Sequence, residues 1–512
     1  MIRVERARTR LCGLLSPLAN STLSVLVRTS AIYALATMAS PLASLILAPF
    51  LTRQLSPQDY GLLIVLNTAI GLIAGVTQMG LSSAFFRAYN YDYSSPGDRS
   101  AVLTTAFALL VPIDALVFLA ALLTAQPIAT NFVGRSSSPD VVILAVAVVV
   151  VQNLAVPAFA WMRAEGRAAW FAFVSIGSLA VTVSANVVFV GVLHWGIAGS
   201  LIATASGFTA VVLATAPTLA SKLALPRTAI ARNMLSFGMP QVPNVLALWV
   251  LQLSDRFLLA HYRSFAETAR YAVAYSLGMI VSIAVVSPLA LAWPTAMYAI
   301  ARRADAREQF RLVLTVAFLG FLFLAFVMAI VGEILLNRLF STPYHSAAAV
   351  IPLVAESMAI YGMYILLTLG ISLKRKTWLA SILTLGAATS NLILNLLLIP
   401  KLGAIGAAIS TLLAYLVLAA TAYFVNQHLY PIDLPIVRLV AALAIGILLY
   451  AASYQAGLLA GPAWVLPARI LGLLAYGICL VGLGLGIILP LMRQTAVMHP
   501  GESVMGSTPS SS

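Results

Sequence analysis

Long apolar runs alternate with short polar breaks along the whole chain, and the length of the runs predicts membrane-spanning helices. Runs of about 20 apolar residues, enough to cross a bilayer core as a helix, fall near 29–51, 62–86, 100–125, 141–162, 169–192, 196–218, 240–261, 271–293, 311–332, 348–370, 378–399, 403–425, 437–457 and 468–491. No break exceeds about 25 residues, which is too short to fold as a separate extramembrane domain. The expected fold class is an all-α polytopic membrane protein with about fourteen transmembrane helices. A basic tail at 1–28 precedes them, and a disordered tail at 492–512 follows.

Part of this pattern occurs twice. Trp170, Gly177 and Asn186, followed by Gly196 and Gly199 in HWGIAGS, recur as Trp378, Gly386 and Asn395, followed by Gly403 and Gly406 in PKLGAIGAA. Gly71 and Gly278 stand at the same offset, close to 207 residues. Six helices thus repeat once, as an N-lobe at 29–218 and a C-lobe at 236–425, with helices 13 and 14 at 437–491 outside the repeat. Because six is even, both copies start on one side of the membrane and are expected to be related by an axis along its normal, a transporter architecture. Chance recurrence of Gly and Asn in apolar helices is the competing reading. Pro41 and Pro49 fall in span 1, Pro240 and Pro243 in span 7, and Pro288 and Pro294 in span 8. Each removes a backbone hydrogen bond, so each is either a hinge of a gate or an ordinary proline of a membrane helix.

Composition agrees: 61% of the 512 residues are hydrophobic and 9% charged, against roughly 25% charged in a soluble domain. The net charge of +14 is spread over short loops and forms no nucleic-acid patch. With the N-terminus in the cytoplasm, about 21 of the 29 Lys and Arg lie inside, so both ends are expected there. The richest inside loops are RRADAREQFR (Arg302 to Arg311) and LKRKTW (Leu373 to Trp378). Arg3, Arg6, Arg8 and Arg10 precede a short apolar stretch broken by Gly13 and Pro17, which reads as a surface tail in preference to a cleaved signal. Cys12 and Cys479 are too far apart for a disulfide framework or a zinc site. No phosphate-binding G-x-x-x-x-G-K-[ST] loop occurs, GLGLG at Gly482 to Gly486 lacks a dinucleotide-binding context, and the five histidines have no metal spacing. No cofactor or metal is expected.

Ionisable residues inside apolar spans are costly, about 2.5–3.5 kcal/mol each on insertion scales, and are therefore the site candidates. Asp114 lies mid-span in helix 3, Asp255 and Arg256 in the outer part of helix 7, Glu356 in the outer half of helix 10, and Arg87 ends helix 2. Neighbours on a helix point about 100° apart, so Asp255 and Arg256 are expected to have separate partners. Arg256 either meets a phosphate in a central cavity, as guanidinium does in bidentate fashion, or is structural. Arg87 is either a second such contact or a basic residue marking the cytoplasmic helix end. Asp114 and Glu356 are candidates for ion coupling or, equally, for helix–helix hydrogen bonds.

The chain resembles polysaccharide-transport proteins, the O-antigen (Wzx-type) flippase branch of the multidrug/oligosaccharidyl-lipid/polysaccharide (MOP) exporter superfamily. The residues that carry the likeness are APFLTRQLSPQDYGLL (Ala48 to Leu63), GLSSAFFRAY (Gly80 to Tyr89), FGMPQVPN (Phe237 to Asn244), LSDRFLL (Leu253 to Leu259) and NLLLIPKLGAIGAAIS (Asn395 to Ser410). The resemblance implies two six-helix lobes around a central cavity, two added C-terminal helices, and alternating access. It implies transport, not enzymatic catalysis, in a bacterial inner membrane. The implied substrate is an oligosaccharide on undecaprenyl pyrophosphate, moved from the cytoplasmic to the periplasmic leaflet, with membrane lipids and other polysaccharide-assembly proteins as further partners. Arg87 and Arg256 occupy motif positions, whereas Asp114 and Glu356 do not. A polysaccharide polymerase or ligase, or a drug or lipid II exporter of the same superfamily, is the alternative.

Overall fold

The computed structural model describes residues 39–130, 139–460 and 462–498. Among them twelve helices are long and apolar enough to cross a bilayer. One of these, Trp378–Leu429, is two helices joined at Gly403, whose φ of 58° leaves the helical region. Counting its parts separately and adding Ala39–Gln54, the described portion of the first span, gives the fourteen expected. We number them α1 (Ala39–Gln54), α2 (Pro57–Asp92), α3 (Pro96–Ile128), α4 (Asp140–Ala164), α5 (Ala168–Val192), α6 (Gly196–Ala220), α7 (Thr228–Tyr262), α8 (Phe265–Ala301), α9 (Ala306–Leu339), α10 (Val350–Leu373), α11 (378–402), α12 (404–429), α13 (Ile436–Ala456) and α14 (Trp464–Gly484). The basic tail at 1–28 lies outside the described residues. The helix that carries α14 continues to Met498. Residues 492–498 are therefore helical, a correction to the expected disordered tail, because a helix satisfies its own backbone and need not stop where the apolar run ends.

Helix starts follow local chemistry. Ser56 and Ser95 each precede a proline and accept the backbone N–H of Asp59 and Asp98, at 3.1 and 3.2 Å, while their hydroxyls donate to those carboxylates at 2.7 Å. Proline at the first helical position loses only an N–H that would lack a partner anyway. The interruptions are equally specific. α2, expected to be continuous, breaks at Met79 and Gly80, with φ of 48° and 66°. A Cβ on Gly80 would lie 2.6 Å from the Gly238 carbonyl oxygen, and one on Gly238 would lie 2.3 Å from that of Met79. Two of the resemblance motifs therefore meet backbone to backbone, which only glycine permits. α7 carries a 3-10 turn at Met239–Gln241 that contains Pro240 and is followed by Pro243, and a π-turn at Ser282–Val286 precedes Pro288 in α8. Pro41 and Pro49 lie within α1, and Pro294 lies within α8.

The internal repeat has a structural counterpart. Gly196 and Gly403 both have φ of 58°. Three residues later, a Cβ on Gly199 would approach the Phe189 carbonyl oxygen to 3.1 Å, and one on Gly406 would approach that of Leu398 to 2.5 Å. The same glycine pair thus closes the α5–α6 and α11–α12 turns.

The described chain forms two compact units. The first comprises residues up to Ser276 with Leu339–Ser346 and Leu392–Ala407; the second comprises Leu277–Arg338, Ala347–Asn391 and the chain from Ala408. In the first, Phe85, Trp161, Phe171 and Met234 belong to one buried cluster. In the second, α13 and α14 dock on α9 through Phe326, Leu439 and Tyr476, with the Phe326 and Tyr476 rings 4.6 Å apart. Arg469 and Glu333 add a largely buried ion pair at 2.9 Å. The α10 span is 72% buried against 22% for α13 and 17% for α14, so α10 is core and the last two helices are peripheral. Val437, Leu448, Leu471 and Ile478 face outward there, an apolar surface that suits lipid rather than water.

Candidate functional site: buried charges and the helix corners of the first unit

Four chain corners meet at one end of the first unit. From the α1–α2 corner, Arg53 donates to the Leu339 carbonyl at 3.1 Å, and the Thr52 carbonyl accepts Ser341 Oγ at 3.3 Å. From the α7–α8 corner, the Ala266 N–H donates to Gln58 Oε1 at 3.2 Å. Arg263 reaches the carbonyls of Ile399 and Lys401, at 3.3 and 2.8 Å, in the α11–α12 turn. Glu267 accepts the Ala404 N–H at 2.9 Å, and Arg270 donates to the Pro343 carbonyl at 3.1 Å. Beneath these bonds Gly61 passes so close to Phe265 that a Cβ would lie 1.8 Å from its carbonyl oxygen. Four of these seven bonds are exposed to solvent, where water competes for each partner, so the whole set is a reversible fastening.

One to two turns inward lies a buried charge cluster. Asp255 accepts the hydroxyl of Tyr271, and the Arg256 guanidinium lies 4.7 Å from the Tyr275 ring centroid. Asp255 and Arg256 were expected not to face each other. Instead Arg256 folds back along its own turn, donating to the Gln252 carbonyl at 3.0 Å, which brings Nη1 within 3.3 Å of Asp255 Oδ1. The length of the arginine side chain overrides the 100° between their Cβ directions. Tyr60 of α2 packs edge-on against Tyr344, with centroids 6.2 Å apart. Burial pushes the Tyr344 phenol up to about 12, so it remains a neutral hydroxyl. Asp255, Arg256, Tyr271, Tyr275, Tyr60 and Tyr344 are all buried.

A second polar cluster occupies the α2 break. Asn153 donates to Asp114 Oδ1 at 2.6 Å and to Thr77 Oγ1 at 2.8 Å, and accepts from Gln78 at 3.0 Å. Asp114 is buried, and its Oδ2 has no hydrogen-bond partner among the described residues. In the second unit, Glu356 Oε1 is buried without such a partner as well. Arg87 stands at the opposite end of α2 from Tyr60. It is half exposed, 3.5 Å from Asp92, with its guanidinium over the Phe237 ring at 4.8 Å.

The structure therefore brings Asp255 and Arg256 together and separates both from Arg87. Sequence reading missed the partners: Tyr60, Tyr271, Tyr275 and Tyr344 around the ion pair, Asn153 and Thr77 beside Asp114, and the Glu333–Arg469 pair. Tyrosines four residues apart in α8 were a legible signal, since that spacing places them on one helix face. The long-range partners had none.

A helical chain of about fourteen spans with charges buried between the helices is a multi-pass membrane protein with the fold of MOP-superfamily transporters. The chain belongs to the polysaccharide biosynthesis protein family, whose profile matches residues 26–296. Among solved structures it is similar to the lipid II flippase MurJ in an inward closed conformation, at 16% identity over 87% of this chain and 97% of that one, with a TM-score of 0.64. An inward-facing multidrug resistance MATE family transporter of the MOP superfamily is similar at 13% identity, 77% and 97% coverage, and a TM-score of 0.61. A variant of the Vibrio cholerae MATE transporter VcmN follows at 17% identity, 79% and 97% coverage, and a TM-score of 0.53. No curated protein sequence matches the chain significantly.

Proposed function

We propose that this protein is a flippase that moves an undecaprenyl-pyrophosphate-linked oligosaccharide from the cytoplasmic to the periplasmic leaflet of a bacterial inner membrane by alternating access, with both termini in the cytoplasm. The observation that carries the reading is the fastening of four helix corners at one end, the end that the arginine distribution assigns to the periplasm. Sugars need a polar path across hydrocarbon while the lipid tail stays in the bilayer, so such a protein must close one end before opening the other. Bonds that water can replace one by one supply a closure that a bound substrate or ion can shift. In this reading Asp255 and Arg256 stabilise the closed outer end, Arg87 meets the pyrophosphate at the inner one, and the prolines flanking the breaks in α7 and α8, with Pro41, Pro49 and Pro294, act as hinges. Family membership supports a role in surface polysaccharide assembly. Deletion of the gene is expected to trap lipid-linked oligosaccharide on the cytoplasmic leaflet. Normal surface polysaccharide in that strain, in the absence of a redundant exporter, would refute the proposal.

Asp114 and Glu356 are assigned to ion coupling in the same reading. Asp114→Asn keeps the hydrogen bond from Asn153 and removes the charge. It is expected to leave flipping down a substrate gradient within about twofold of wild type while abolishing its response to an imposed proton or sodium gradient. Flipping in vesicles with and without such gradients measures this, and a retained gradient response would remove Asp114 from the coupling path.

A further inference from the structure

A separate polar site lies in the first unit, away from the fastened corners. The end of α2 contributes Tyr89, the first turns of α3 contribute Arg99 and Ser100, the end of α4 contributes Trp161 and Glu165, and Lys222 follows α6; together they line a half-open cavity of about 180 Å³. Among the lining residues, two cations face two aromatic rings. The Arg99 guanidinium lies 5.3 Å from the Tyr89 centroid, and the Lys222 ammonium lies 5.9 Å from that of Trp161. Neither cation forms an ion pair among the described residues, and Arg99 Nε is buried with no hydrogen-bond partner there. The carboxylate at the site, Glu165, already accepts the Tyr89 hydroxyl at 2.5 Å. Two cations, one engaged carboxylate and the N-terminal end of α3, where the helix dipole is positive, leave the cavity short of negative charge.

We propose that this cavity binds a phosphate-bearing anion, with Arg99 and Lys222 as its ligands. A buried guanidinium N–H without a hydrogen-bond partner is costly, and a phosphate oxygen beside Arg99 Nε offsets that cost with a charge-assisted hydrogen bond. The planar guanidinium supplies paired donors, and the ammonium supplies a point charge to a second oxygen. The cavity is smaller than the roughly 300–1,000 Å³ of sites that enclose a drug-sized molecule, so it takes a phosphate and its immediate ester neighbours and not a whole sugar nucleotide. Its place at the helix ends is the depth of lipid headgroups, so the phosphate is either that of an anionic lipid or free in solution. The inference holds whether or not the chain flips an oligosaccharide.

The test uses the purified full-length protein in detergent. Retention of phosphatidylglycerol against phosphatidylcholine is read by native mass spectrometry, and thermal stabilisation by inorganic phosphate is read in parallel. Arg99→Gln with Lys222→Gln is compared with wild type, and Arg232→Gln serves as an exposed control at the same end and outside the cavity. Each lost cation is expected to weaken retention about tenfold, with the control within about twofold. Loss of phosphatidylglycerol retention in the double variant identifies a lipid headgroup; loss of stabilisation by inorganic phosphate identifies the free anion. Lys222→Gln alone, at a half-buried position after the helix, serves if Arg99→Gln does not fold. Lipid retention and phosphate response equal to wild type in the folded variants would overturn the proposal.

Discussion

Replacing Arg256 by alanine is expected to reduce flipping of lipid-linked oligosaccharide at least about tenfold, whereas Arg256→Lys keeps a measurable part of it. Arg256 is the cation within ion-pair distance of Asp255, and both are buried. Removing one partner of a buried pair leaves the other charge uncompensated, at about 3–5 kcal/mol. The Tyr271 hydroxyl still donates to Asp255, but a neutral donor offsets only part of that cost. Lysine restores the charge without the planar face that stacks on Tyr275 at 4.7 Å, hence the intermediate rate. Combining Arg256→Gln with Asp255→Asn separates function from folding, because neutralising both removes the stranded charge. A purely structural pair predicts that this double variant folds and transports as wild type. A pair needed for the cycle predicts that it folds and does not transport. Size-exclusion behaviour in detergent together with flipping in vesicles distinguishes the two, and full activity in both Arg256→Ala and Arg256→Lys would remove Arg256 from the mechanism.

The spans were legible because each is a long apolar run whose length the bilayer fixes, and the repeat was legible because its turns demand glycine at Gly196, Gly199, Gly403 and Gly406. The α2 break was not. Met79 and Gly80 interrupt an apolar stretch with no polar signal, and the cause is an approach to Gly238 that lies far away in sequence. Ion candidates could be picked out one residue at a time because charge is rare in these helices. Their grouping could not, since Arg87 and Arg256 share motif status and lie in different places. The corner contacts were hidden for another reason. Arg53, Arg263 and Arg270 spend their donors on main-chain carbonyls, which every residue carries, so no complementary side chain marks the partner.

Gly61→Val is expected to prevent the corners from closing and to stop transport while leaving the protein folded. The valine Cβ would lie 1.8 Å from the Phe265 carbonyl oxygen and 2.4 Å from its carbon. Both are backbone atoms, so no rotamer change relieves the overlap and the α1–α2 and α7–α8 corners must separate. Water can replace each of the bonds that would have to yield, from Gln58, Arg263, Glu267 and their neighbours, whereas nothing can relieve an overlap between two backbones that stay in place. The reading is cross-linking by a short bifunctional thiol reagent between Gln58→Cys and Ala266→Cys, in a background lacking Cys12 and Cys479, because Gln58 Oε1 lies 3.2 Å from the Ala266 nitrogen. Adding Gly61→Val should lower the cross-linked fraction at least about tenfold. Gly71→Val is the control, since nothing lies within 4 Å of a Cβ at that position on the same helix. Undiminished cross-linking in Gly61→Val would show that the corners come together without needing a bare backbone at Gly61. Lost cross-linking with normal flipping would show that this end need not close during transport, and the fastening would then be a feature of the resting protein alone.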